Sequence, residues 1–248
     1  MQPFVLLKLF IDYFVSHRIL DYVYIIAFHQ QKPIQKQMKK NNQTVSPIIK
    51  ICGLTSLEQA LSCVELGANW LGLNCWNRSS RYVPVEKVME IVAGLPKSVT
   101  TVGIFVNEST KSIERIIRET GMDLAQLHGD ETPKSCNKLT VPWFKAFRIS
   151  PEFQPRQIRN FGCKTFLLDA YSKHYGGSGE KINLELASTF TEMGELILAG
   201  GLAPENVVDA ISKVRPWGVD VCSGVESEPG IKDLLKVKEF INNIRNTV

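Results

Sequence analysis

From Ile48 onward the chain alternates short, nearly continuous apolar runs with stretches in which apolar residues return every third or fourth position. The continuous runs predict strands covered on both faces, as in a parallel sheet. They fall at Ile48–Cys52, Trp70–Asn74, Thr100–Val106, Leu124–Leu127, Trp143–Phe147, Thr165–Asp169, Leu196–Ala199 and Gly218–Val221. Between them the helical period is plain. Thr55-Ser56-Leu57-Glu58 reads as a capping box with Thr55 as the cap, followed by an apolar stripe of Leu57, Leu61 and Val64. Ser109 precedes a helix whose inner face is Ile113, Ile116 and Ile117, and Pro204 suits the first turn of one carrying Val207, Ile211 and Val214. The last helix presents Val237, Phe240, Ile241 and Ile244. Eight strands alternating with helices predict an α/β fold of the (β/α)8 TIM-barrel type, one domain over residues 48–248. An open doubly wound sheet usually carries Gly-x-Gly-x-x-Gly after its first strand; here that place holds Cys52-Gly53-Leu54-Thr55.

Residues 1–47 break the pattern and form a non-barrel N-terminal extension. Phe4–Val15 and Ile19–Phe28 are rich in bulky apolar residues, but Lys8, Asp12, Arg18 and Asp21 interrupt them. No run is long enough to span a bilayer, and the order of charge and apolar residues is not that of a signal peptide. A polar stretch, Gln30–Ser46, leads into the barrel and contains Met38-Lys39-Lys40-Asn41-Asn42. The reading favoured is that Met38 is the start and residues 1–37 lie upstream of it. The competing reading is an interfacial amphipathic helix.

Composition narrows the function only a little. The net charge of +4 is spread along the chain without the basic and aromatic stripe of a nucleic-acid surface. Six cysteines and four histidines are dispersed, with no Cys-x-x-Cys pair, which argues against a zinc site and against a disulfide framework. The expectation is a cytoplasmic enzyme with reduced thiols, no nucleic-acid or membrane partner, no metal and no cofactor, as monomer or homodimer.

In a barrel of this kind the chemistry gathers at the C-terminal ends of the strands. Cys52 ends the first strand; alone it is well explained as a small buried hydrophobe, yet at the rim a thiolate can act as a base. Asp169 ends the sixth, where it can be an acid or a loop cap. Ala199-Gly200-Gly201-Leu202 follows the seventh strand and Cys222-Ser223-Gly224-Val225 the eighth, the two ends where barrels commonly bind phosphate through backbone N–H groups. Arg81, after the second strand, can grip a carboxylate in bidentate fashion or simply be solvated. His128 closes the fourth strand, as rim residue or ligand contact. Gly176-Gly177-Ser178-Gly179 is a flexible loop that can serve as a lid.

Taken in order, Lys50-Ile51-Cys52-Gly53-Leu54, Ser80-Arg81-Tyr82, Gly103-Ile104-Phe105-Val106-Asn107, Ala125-Gln126-Leu127-His128-Gly129-Asp130-Glu131, Leu167-Leu168-Asp169-Ala170, the Gly176–Gly179 loop, Ala199-Gly200-Gly201-Leu202 and Asp220-Val221-Cys222-Ser223-Gly224-Val225-Glu226 resemble the motifs of phosphoribosylanthranilate isomerases across the whole barrel. The resemblance implies Cys52 as general base and Asp169 as general acid of an Amadori rearrangement in tryptophan biosynthesis. It implies Arg81 at the anthranilate carboxylate, Gly200, Gly201, Ser223 and Gly224 at the phosphate, and Asp220 and His128 lining the pocket. Three departures stand out: the loop Asn74–Ser80, the lid Ser178–Leu184, and Cys222 in place of a common serine. A histidine-pathway sugar isomerase would carry aspartate where Cys52 stands. An indole-glycerol-phosphate synthase would need a lysine acid, whereas Lys50 and Lys145 lie within their strands. The remaining alternative is a non-catalytic phosphate-binding barrel.

Overall fold

The computed structural model describes residues 47–171 and 181–247. The expected extension and most of the lid loop therefore lie outside the described residues. A compact unit spans Thr44–Val248. Its eight parallel strands are β1 (Ile48–Cys52), β2 (Trp70–Asn74), β3 (Thr100–Phe105), β4 (Leu124–Leu127), β5 (Trp143–Ile149), β6 (Thr165–Ala170), β7 (Glu195–Leu198) and β8 (Gly218–Val221). They close in sequence order, with β8 pairing back onto β1. The α-helices among the described residues are α1 (Leu57–Leu66), α2 (Val85–Gly94), α3 (Thr110–Thr120), α4 (Pro133–Cys136), α5 (Pro155–Arg159), α6 (Leu184–Ser188), α7 (Val207–Val214) and α8 (Leu234–Arg245). None is long and apolar enough to cross a membrane.

Closure sorts each strand's residues by period two. One set fills the barrel with Trp70, Val102, Leu124, Phe144, Ala146, Leu167, Ile197 and Ala199. The other packs outward against the helices in a larger core that includes Ile51, Leu71, Leu127, Phe166, Leu168 and Val219. This double burial is why the strands read as continuous apolar runs. The interior set also carries polar groups upward: Lys50 and Cys52 on β1, Asp169 on β6 and Asp220 on β8 share the phase of the filled interior. Side chains of this set emerge at the C-terminal mouth.

Two of the expected helix starts are corrected by the structure. Ser56, not Thr55, caps α1, its hydroxyl accepting from the Gln59 backbone N–H. The Thr55 hydroxyl instead donates to the Gly230 carbonyl at 2.7 Å, tying the first loop to the segment after β8. The most buried face of α1 is Ala60 and Cys63, with Leu57, Leu61 and Val64 only half-buried, because the small residues sit where the helix presses closest to the strands. Pro204 lies in a turn before α7 rather than in its first turn. Asn206 occupies the cap position, and its amide oxygen accepts from the Ala203 N–H. Ser109 caps α3 as expected, and the inner faces of α3 and α8 are buried as read. A two-stranded antiparallel ribbon, β9 (Glu226–Glu228) with β10 (Ile231–Lys232), was not anticipated.

Candidate active site

Cys52 sits at the end of β1 two residues above Lys50, on the same side of the strand. Lys50 is fully buried and donates from Nζ to Asp220 Oδ1 at 2.9 Å. Burial works against the ammonium, but Asp220 and the Cys52 sulfur outweigh it and hold its pKa above the ordinary lysine value. Burial pushes the Asp220 carboxyl up to about 7, against the attraction of Lys50; Cys52 and Asp169 both act on it as like charges. Asp220 therefore stands within electrostatic reach of both residues expected to carry the chemistry.

The Cys52 thiol is held well below its ordinary value. A hydrogen bond from the Cys222 thiol is the largest cause; burial opposes it, and the ammonium groups of Lys50 and Lys232 reinforce it. Cys222 moves the opposite way, up, chiefly because it stays protonated to donate that bond. Lys232, fully buried on β10, donates to Glu226 Oε1 at 2.7 Å and to the Cys222 carbonyl at 3.2 Å. The ribbon after β8 thus delivers a second positive charge to the floor of the site.

Arg81 is brought to the same place by a loop that its own residues pin. Asn74 accepts from the Trp76 N–H and donates from its amide to Ser79 Oγ, which in turn accepts from the Arg81 N–H. The aliphatic stem of Arg81 lies against Gly53, where an added Cβ would come within 2.7 Å of Arg81 Cδ; Gly53 also has φ +75°, a conformation that favours glycine. Glu226 takes the Nε/Nη2 fork, at 2.9 Å to Nε and 2.6 Å to Nη2. With the fork occupied, the Nη1 side, 3.5 Å from Ser80 Oγ, is the part of the guanidinium left to meet a second carboxylate.

Across the mouth, Asp169 Oδ1 accepts from the Ala170 N–H at 2.8 Å, and its Oδ2 lies 3.2 Å from His128 Nε2 without the alignment of a hydrogen bond. The buried Gln126 amide and His128 Nδ1 are 2.9 Å apart. With the amide nitrogen donating, the ring proton falls on Nε2, facing the carboxylate.

The two glycine loops pack on each other. Gly200 and Gly201 have φ +85° and +68°, and a Cβ on Gly200 would approach Ala170 N to 2.5 Å. A Cβ on Gly224 would reach 2.0 Å from the Leu202 carbonyl oxygen. Asn206 braces the first loop by donating to the Gly201 carbonyl at 2.8 Å. Ser223–Val225 forms a single 3-10 turn. Bare backbone N–H groups at two adjacent strand ends can serve as an anion cradle.

From the sequence, Lys50 was set aside as a mid-strand lysine, Glu226 and Gln126 entered only as motif members without a role, and Lys232 was missed. Lys50 was legible: a lysine two residues before a rim cysteine shares its face. Lys232 and Glu226 gave no such signal, since they depend on the ribbon after β8. Lys145 is also buried, but it is spent on the Leu127, Gly129 and Ala146 carbonyls and on Glu131.

Comparison with known proteins shows the family. The family described as N-(5'phosphoribosyl)anthranilate (PRA) isomerase matches residues 49–243. An N-(5'-phosphoribosyl)anthranilate isomerase from Geobacter metallireducens is 46% identical over 198 residues, covering 79% of this chain and 98% of the relative. One from Chlorobaculum tepidum is 45% identical over 208 residues, covering 79% and 94%. Among solved structures, phosphoribosyl anthranilate isomerase from Thermotoga maritima is 39% identical with a TM-score of 0.76, covering 80% of this chain and 98% of that one. A further structure of the isomerase, in complex with reduced 1-(o-carboxyphenylamino)-1-deoxyribulose 5-phosphate, is 37% identical with a TM-score of 0.73. With a rim thiol, a rim carboxylate and paired glycine loops on an eight-stranded barrel, the chain belongs to the N-(5'-phosphoribosyl)anthranilate isomerase family, isomerases of tryptophan biosynthesis.

Proposed function

We propose that this barrel carries out the Amadori rearrangement of N-(5-phosphoribosyl)anthranilate to 1-(2-carboxyphenylamino)-1-deoxyribulose 5-phosphate, with Cys52 as base and Asp169 as acid. The observation that carries the reading is the environment of Cys52: a rim thiol two residues above the buried Lys50–Asp220 pair, whose pKa the Cys222 donor and the Lys50 and Lys232 ammonium groups hold well below the ordinary value. The substrate's phosphate binds the N–H groups of Gly200, Gly201, Ser223 and Gly224. Its anthranilate carboxylate meets the Nη1 side of Arg81, which Glu226 holds in place. His128 and Asp220 line the pocket between these ends.

Asp169 donates its proton to the furanose ring oxygen; the C1′–oxygen bond breaks and the ring opens to a Schiff base. Cys52, as thiolate, then removes the proton from C2′, giving an enolamine that tautomerises to the ketone. The change is an internal aldose–ketose oxidoreduction: C1′ is reduced as C2′ is oxidised, with no external electron carrier or cofactor in the balance. The site of action is the cytoplasm, in keeping with the dispersed thiols of the sequence.

The reaction is followed directly by the loss of phosphoribosylanthranilate fluorescence, and absence of turnover would favour a non-catalytic phosphate-binding barrel. Asp169→Asn tests the acid. The amide keeps the shape and the Ala170 contact but has no acidic proton, so kcat falls by about 10²–10⁴. Substrate supplied already open at the ring regains much of that loss. An equal loss with both forms makes Asp169 a positioning residue.

A further inference from the structure

Cys52 and Cys222 close neighbouring strands at the same level. β1 and β8 run parallel with Lys50 opposite Asp220 and Ile51 opposite Val221, so Cys52 and Cys222 each follow directly on a member of the last matched pair. Each shares the phase of the residue two before it, and the Lys50–Asp220 ion pair fixes that phase as the barrel interior. Adjacent strands are about 4.8 Å apart, within the span of about 4.4–6.8 Å between the Cα atoms of a disulfide. The two thiols act on each other: Cys222 is the largest cause that lowers the Cys52 pKa, and Cys52 the largest that raises that of Cys222. Cys222 Sγ also lies against the backbone just after Cys52, 2.9 Å from where a Cβ on Gly53 would be. Neither residue is fully closed off from solvent: both are half-buried.

We infer that Cys52 and Cys222 are a redox-active pair that closes to a disulfide when the protein meets a peroxide. The effect on turnover rests on the proposed role of Cys52 as base; the bridge itself does not. The Cys52 thiolate attacks one peroxide oxygen, the O–O bond breaks, and hydroxide leaves to be protonated to water. The resulting sulfenic acid is attacked by the Cys222 sulfur, whose proton leaves with the displaced hydroxide as a second water. Two thiols lose two electrons and the peroxide gains them. Lys232 Nζ, 4.0 Å from Cys222 Sγ, favours the Cys222 thiolate as it forms. In a reducing compartment such a bridge is transient, opened again by thiol exchange. Closed, it leaves no thiolate to remove the C2′ proton. Serine at residue 222 would supply the hydrogen bond without the switch, so cysteine there adds a sensitivity to oxidant.

The test uses the full chain, reduced and freed of reductant, then treated with hydrogen peroxide and alkylated with iodoacetamide. Intact mass and peptide mapping that separates Cys52 from Cys63 and Cys75 should find a Cys52–Cys222 cross-link. Turnover should fall in step and return with dithiothreitol. In Cys222→Ser, compared with its own reduced form, the cross-link is absent and the peroxide loss is no longer reversed, because Cys52 goes on to the sulfinic acid. Cys52 and Cys222 both alkylated after an inactivating dose would overturn the proposal. So would a bridge from Cys52 to another thiol, or reversible loss unchanged in Cys222→Ser. A cross-link that forms without loss of turnover upholds the pair and removes Cys52 from the proposed mechanism.

Discussion

At the scale of single residues, the site is a problem of proton placement. A free thiol with an ordinary pKa of 9.0 is mostly protonated at neutral pH, and a protonated thiol cannot take a proton from carbon. Cys52 is moved downward by its neighbours, the Cys222 donor first and the Lys50 and Lys232 charges after it. The sign of the pH dependence follows. A base is active when deprotonated, so the acid limb of kcat/KM rises with pH through the Cys52 pKa, while loss of the proton from the general acid limits the profile on the other side. That acid limb is expected well below 9.0, and Cys222→Ala, which removes the largest downward cause, should shift it to higher pH; a kcat/KM profile of both proteins checks this. A limb that does not move would mean that the Cys222 bond has no hold on the base. Cys52→Ser is expected to lower kcat by about 10²–10⁴, since a hydroxyl is a far weaker base in the same place. Product affinity, anchored by the glycine loops, should change little. Near-normal turnover of the purified variant would take Cys52 out of the mechanism.

At the scale of elements, the sequence exposed some devices and hid others for a physical reason. The strands were legible because burial on both faces leaves no room for alternation, and Cys52 and Asp169 could be placed at their ends, whereas Asp220 came only through the family resemblance. The cap of α1 was misplaced by one residue because Thr55 and Ser56 have the same chemistry; the distant Gly230 carbonyl decides between them. The Glu226–Lys232 ribbon was invisible because two and three residues are too few to show a period, and the tie from Lys232 Nζ to Glu226 is a tertiary one. The glycine loops, weak evidence singly, owe their demand for glycine to each other. Gly224 carries no positive φ, yet a methyl group there would meet the Leu202 carbonyl of the neighbouring loop at 2.0 Å. Gly224→Ala must therefore push the two loops apart. Displacements of about 1 Å can cost about 10²-fold in rate, so kcat/KM is expected to drop by that order and affinity for inorganic phosphate to weaken with it. Gly162→Ala is the control: its φ of +63° strains the turn before β6, but a Cβ there meets nothing within 4 Å, and kcat/KM should be unaffected.

At the scale of the whole molecule, the barrel joins residues that are distant in sequence. Cys52 and Cys222 are brought side by side only by the pairing of the first strand with the eighth. Lys50 meets Asp220 and Arg81 meets Glu226 through the same closure, so the active mouth depends on the last third of the barrel completing the first. This dependence sets what the chain can lose. Relatives matched over 98% of their own length correspond to 79% of this one, and the family match begins at residue 49. Among the described residues, the interactions at the mouth are made by Lys50, Arg81, Asp220, Glu226 and Lys232. We therefore propose that residues 1–37 contribute nothing to catalysis. A protein beginning at Met38 is expected to fold and to match the full chain in kcat, in KM and in thermal midpoint. The three readings separate the ways the proposal can fail. A lowered midpoint with intact kinetics would mean that the extension supports the barrel from outside the site. A raised KM would mean that it reaches the mouth, and loss of a vesicle-binding activity shown by the full chain would reveal a membrane anchor instead.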